Sequence, residues 1–270
     1  MTTDNASIEG EPVLIQFELV QGISKDFNDF KILFLEQLLA IKSSFVYYIF
    51  MQTVAPFGLI FAMGHYSGYI PGNNQLIRII AGAVTFALVT VGLTTLAEKL
   101  CRMRIQGILL YYSSLPVKKI IFILALLFSS LIILLPSVIT PIISGIIIYN
   151  LNLNVSLWLP VVMLLGALSL VSVGTTVGVL IKSYELAALI CNAFIILMAF
   201  ASPTFIDKSL LPLPLQLLGW LLPSTYISDA ITHCLLGSYD QSFFLDLLFL
   251  SVMGVTALLL TVKFLVWEAE

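Results

Sequence analysis

Few residues in this 270-residue chain have a type and spacing that could do chemistry. Asp229 and His233 stand at i and i+4, one helical turn apart, where a carboxylate and an imidazole could exchange a proton. Neither a nucleophile nor a third partner accompanies them, so the pair reads as a polar lip on an outer helix. His65 has no neighbours at metal-ligand spacing and reads as a surface histidine at headgroup depth. Cys101, Cys191 and Cys234 fall in different segments and are expected to be free thiols, Cys234 near the outer face. No Gly-x-x-x-x-Gly-Lys-Ser/Thr occurs, so the chain cannot cradle nucleotide phosphates itself. The expectation is no catalytic residue, no metal site, no cofactor bound by this chain and no nucleic-acid partner.

The elements that carry these residues are apolar. Hydrophobic residues make up 60% of the chain, well above a soluble domain, and the mean hydropathy is +1.07. Six helix-length stretches lack Asp, Glu, Lys and Arg: about 46–64, 79–97, 120–149, 157–181, 186–206 and 244–262, with Asp246 the one acid, at the outer edge of the last. About 20 apolar residues cross a bilayer core as a helix. The fold class predicted is all-α integral membrane with six transmembrane helices. Ion-driven pumps carry ionisable groups at bilayer depth. The spans here show none, so the energy source is expected to lie elsewhere.

Charge placement sets the topology. Lys25, Lys31, Lys42, Lys99, Arg102, Arg104, Lys118, Lys119, Lys182 and Lys263 fall on the side of the N-terminus, and only Arg78 and Lys208 fall opposite. Cytoplasmic loops carry the Lys/Arg excess, so both termini are expected in the cytoplasm. Residues 1–24 hold acids and no base, unlike a signal peptide, so the first span is expected to act as the insertion signal. Tyr66 and Tyr69 in the first outer loop suit an interfacial aromatic belt.

Four local patterns refine this plan. Phe27, Phe30, Phe34, Leu38 and Ile41 recur at spacings of three and four, which predicts an amphipathic interfacial helix. The half-apolar stretch from Glu98 ends at Leu115-Pro116, which predicts a short cytoplasmic helix over about 98–114. Pro136 and Pro141 are placed to kink the third span, and Gly174 and Gly178 form a small-xxx-small pair suited to close helix packing. Finally, residues 202–240 are apolar but broken by prolines. Two short helices over about 211–222 and 224–236 are expected to enter the outer leaflet and return, forming a re-entrant lid. Its candidate gate residues are Pro203, Leu211, Pro212, Pro214, Trp220, Pro223, Tyr226 and Asp229. Thr90, Thr94, Ser172, Thr175 and Asn192 are candidates to line a pathway.

Three of these places resemble one family. The helix over 27–42, the stretch Glu98–Arg102/Arg104–Gly107–Leu115-Pro116, and the segment holding Leu211-Pro212 and Pro223-Ser224-Thr225-Tyr226 look like those of an ABC-2 type permease. That is the membrane subunit of bacterial ATP-binding-cassette exporters of the daunorubicin-resistance and polysaccharide-export group. The resemblance covers about 27–266. It implies that Glu98, Arg102, Arg104, Gly107, Leu115 and Pro116 couple to a separate ATPase subunit, which would hold ATP and Mg. It also implies a second permease subunit, giving a homodimer, in the bacterial cytoplasmic (inner) membrane. The domains expected are a cytoplasmic segment 1–26, an interfacial helix 27–44, a transmembrane domain 45–266 and a cytoplasmic tail 267–270. An amphipathic or lipid-like substrate is expected to move outward by alternating access. The alternatives are a polysaccharide or glycolipid permease of the same family, or an ion-coupled secondary transporter.

Overall fold

The computed structural model describes residues 11–42, 50, 53–54, 56–58, 60–62, 73–181, 183–202, 204–205 and 212–264. Among these the chain is helical, without strands. The order is α1 (Glu11–Lys42), α2 (Asn73–Thr90), a π-helical segment (Val91–Thr95), α3 (Leu96–Ile105) and α4 (Ile108–Ser114). There follow α5 (Lys119–Tyr149), α6 (Leu159–Leu180), α7 (Tyr184–Ala201), α8 (Leu213–Leu221), α9 (Pro223–Leu236) and α10 (Gln241–Phe264). Most of the first expected span, His65, Tyr66, Tyr69, Lys182, Pro203, Lys208, Leu211 and the tail 267–270 lie outside the described residues, as do residues 1–10 of the N-terminal segment.

Among the described residues three helices are long and apolar enough to cross a membrane: Asn74–Ile105, Lys119–Tyr149 and Gln241–Leu260. Two shorter apolar helices, Leu159–Leu170 and Tyr184–Ala199, stand beside them. α5 runs unbroken through Pro136 and Pro141, each of which removes one backbone donor from the ladder. It stops at Asn150, whose φ of 50° is left-handed and whose N–H returns to the Gly145 carbonyl.

The core is built by α2, α6, α9 and α10, with Leu88, Leu170, Ile227, Ile231 and Phe243 fully enclosed. α10 lies along α6. Gly174 and Gly178 bring α6 against the π segment and α3: a Cβ at Gly174 would stand 2.8 Å from the Gly92 carbonyl oxygen, and one at Gly178 2.8 Å from that of Ala97. The small-residue spacing thus serves backbone-to-backbone approach. A second cluster joins α1, α3, α4 and α5 through Leu33, Leu100, Leu109, Tyr112, Phe122 and Leu126.

Two elements differ from the sequence pattern. α1 begins at Glu11, and its inward face is Phe30, Leu33, Phe34 and Gln37, while Phe27 is 66% exposed. The face is rotated because α1 packs along α5 and offers Gln37 to Tyr112, instead of presenting only apolar groups. The stretch from Glu98 is not one helix. The second span continues through the π segment into α3, breaks at Gly107, and resumes as α4.

Candidate functional site: two polar ends of one helical bundle

Arg78 and Glu98 lie twenty residues apart on the continuous helix α2–π–α3, hence about 30 Å apart along its axis. Each anchors a separate polar constellation.

At the Glu98 end, α3 leaves the apolar run with Glu98 in its first turn and Arg102 and Arg104 in its last. Glu98 accepts a 2.8 Å hydrogen bond from the Tyr184 hydroxyl at the start of α7. The Arg102 guanidinium stands 5.4 Å from the centre of the same ring. Gly107 then turns the chain with φ 70° and ψ 8°, a left-handed conformation that strains any residue bearing a Cβ. The space around it is open: a Cβ there would meet nothing within 4 Å. Leu115 is extended before Pro116, as the pre-proline position requires.

α4 is fastened to α1. Tyr112 is 3% exposed, packs on Phe122 with ring centres 4.8 Å apart, and donates a 2.6 Å hydrogen bond to Glu36 Oε1. Burial, and then the bond to Glu36, push the phenol's pKa well above its usual value, so it stays a donor. Lys118, just beyond Pro116, is paired with Asp26 of α1. The stretch from Glu98 to Pro116 is therefore bent at Gly107 and tied to α1 and α7, and Glu98 faces Tyr184 within the chain. Glu36, Tyr112, Asp26 and Tyr184 were not singled out by sequence. The i to i+3 and i+4 stripe on α1 was visible, but its polar partners lie some 76 to 92 residues away.

At the Arg78 end, α8 and α9 follow one another with only Leu222 between them. Pro223 is the first residue of α9, where its missing N–H costs nothing, so it starts a helix instead of separating two. Pro214 likewise sits in the first turn of α8, and Pro212 precedes it as the cap. The two helices differ in burial. Leu213, Leu217, Trp220 and Leu221 of α8 are each more than 70% exposed. Ile227, Ala230, Ile231 and Cys234 of α9 are fully enclosed between α2, α6 and α10. Tyr226 joins the pieces, donating to the Trp220 carbonyl at 2.8 Å and stacking on Phe249 of α10.

Asp229 is not a polar lip. It is 8% exposed and accepts a 3.0 Å hydrogen bond and ion pair from Arg78 of α2, which binds α9 across the bundle. His233 turns the other way, its Nδ1 at 3.1 Å from the Ser238 carbonyl and its Nε2 at 3.3 Å from Ser242 Oγ. Cys234 is fully buried, so it is not open at a face as its position suggested, and Cys101 and Cys191 are buried and free as well. Beside Asp229 runs a hydroxyl chain. Thr204 Oγ1 donates to Ser202 Oγ at 3.0 Å, Ser202 and Thr225 are 2.9 Å apart, and Thr225 donates to the Gly219 carbonyl at 2.6 Å. Ser228 donates to the Thr204 carbonyl at 3.0 Å.

The candidate pathway residues are spread over α2, the π segment, α6 and α7. Thr90 and Thr94 flank and enter the π segment, and each donates to the carbonyl four residues back. Asn192 stands on the exposed face of α7 and bonds the Ala188 carbonyl. Ser172 and Thr175 lie on α6, on either side of the Gly174 contact. Among the described residues no three His, Cys, Asp or Glu groups gather as metal ligands.

Long apolar helices with charge gathered towards their ends mark a multi-pass membrane protein. Residues 28–236 match the family described as ABC-2 type transporter, and the chain belongs to that family. No curated protein matches it.

Proposed function

We propose that this chain is the transmembrane permease subunit of an ATP-driven exporter whose ATPase is a separate chain. In this reading the protein has six spans and both termini are cytoplasmic. The lever from Glu98 to Pro116 receives the ATPase, and the α8–α9 hairpin closes the outer end. Two copies pair in a bacterial inner membrane to form the pathway, and an amphipathic or lipid-like molecule moves outward. ATP and Mg belong to the partner.

The observation that carries the reading is the Tyr112–Glu36 joint. It fastens α4 to α1 while Gly107, in open space, leaves the bend exposed on its other side. A push on the exposed bend would be transmitted to α1 through Tyr112 and to α7 through Glu98 and Tyr184. That is a means of turning a partner's movement into helix movement, and it needs no ionisable group within the spans.

The test is purification of the affinity-tagged chain from its native membrane. A stoichiometric ATPase subunit should accompany the unaltered chain, and Tyr112→Phe should keep that subunit while lowering transport per ATP hydrolysed. Recovery of the chain with no ATPase, under conditions that keep the membrane protein folded, would refute the reading.

A further inference from the structure

Ser224, in the first turn of α9, is 1% exposed, and its Oγ makes no hydrogen bond among the described residues. It faces a small cavity that it shares with Thr85 of α2 and with Thr204. A buried hydroxyl is rarely left unsatisfied, because it has given up its water bonds on folding. The protons of the two threonines are already placed. Thr85 Oγ1 donates to the Ala81 carbonyl at 2.8 Å, and Thr204 Oγ1 donates to Ser202 Oγ at 3.0 Å. Both oxygens keep lone pairs to accept, and Ser224 keeps a proton to give. The cavity has room for about one water molecule.

We infer that a single internal water is bound here, accepting from Ser224 and donating to Thr85 and Thr204. Three hydrogen bonds are what a buried water usually makes. This water completes a directed chain: Ser224 to water, water to Thr204, Thr204 to Ser202, Ser202 to Thr225, and Thr225 to the Gly219 carbonyl. Every proton then points one way, the arrangement in which each bond polarises the next. The second donation, to Thr85, fastens α9 to α2 about two helical turns along α2 from the Arg78–Asp229 pair. The lid helix is thus held by one ionic joint and one hydrated joint. The inference does not depend on what is transported.

Ser224→Ala in the full-length, membrane-embedded chain separates a wet cavity from a dry one by sign. With the water present, the substitution removes one of its three partners, and the melting temperature falls by about 2–4 °C. In a dry cavity the substitution deletes an unsatisfied hydroxyl, so an unchanged or raised melting temperature overturns the inference. A density map of the unaltered chain, fine enough to show ordered water, tests it without any variant. A peak within hydrogen-bond reach of Ser224, Thr85 and Thr204 supports the site. An empty cavity, or one that admits xenon, overturns it.

Discussion

Asp229→Asn preserves the side chain's shape and removes its charge from beside Arg78. The pair is 3.0 Å apart, and its side chains are only 15% and 11% exposed, so solvent screens it weakly. At an effective dielectric of about 20 the direct attraction at that distance is about 5–6 kcal/mol. Desolvation of both groups offsets part of it, but a single substitution leaves the other charge buried, which costs about 3–5 kcal/mol. At roughly 2–4 °C per kcal/mol, the melting temperature should fall by about 6–12 °C or more. Arg78→Gln should do the same. The double variant strands no charge, so it should be less destabilised than the sum of the two singles by about 2–3 kcal/mol. The assay is thermal unfolding of all four forms in the same bilayer discs, read as a double-mutant cycle. Additivity within about 0.5 kcal/mol would refute the claim that this pair fastens α9 to α2.

Other outcomes follow from single distances and angles. Gly107→Asn should retain the bend and the ATPase subunit. Gly107→Ala should cost about 1–2 kcal/mol of strain in the left-handed conformation. Because a Cβ at Gly107 meets open space within the subunit, Gly107→Trp should fold yet lose the ATPase subunit in pull-down, and normal pull-down would place docking elsewhere. Gly174→Ala should destabilise by about 1–3 kcal/mol, since its methyl would press on the Gly92 carbonyl; an unchanged unfolding temperature would contradict the close approach. The native cysteines are buried, so topology is best read at exposed positions. Tyr239→Cys should react with an impermeant thiol reagent on intact cells, and Tyr111→Cys only after the membrane is opened, with the reverse pattern overturning the orientation.

What was legible in the sequence, and what was not, divides by range. Apolar runs gave away α5, α6, α7 and α10, because a span's composition is a local property. The Gly174–Gly178 spacing was informative for the same reason. The breaks were less legible. Gly107 looked like one residue of a helix, and only its left-handed φ shows the bend. Pro223 looked like a separator but fits the first position of α9. The joints were not legible at all. Asp229 pairs with a residue 151 positions away, and Tyr112 with one 76 positions away, so neither partner leaves a periodic trace. Phe27 shows the limit of a stripe argument: it fits the period, yet α1 turns it outward because Leu33 and Gln37 meet α5 and α4 better.

The central claim is that movement through this bundle is driven by ATP on another chain, through the lever from Glu98 to Pro116. Reconstitution in sealed lipid vesicles tests it most directly, with the chain and its co-purified ATPase in one set and the chain alone in another. Flux of a fluorescent lipid and of a lipophilic dye is measured with ATP, and separately with an imposed proton or sodium gradient. The account predicts flux only with the ATPase and ATP present, and none with Gly107→Trp, because that variant no longer holds the ATPase. Gradient-driven flux through the chain alone, or unimpaired ATP-driven flux with Gly107→Trp, would contradict it.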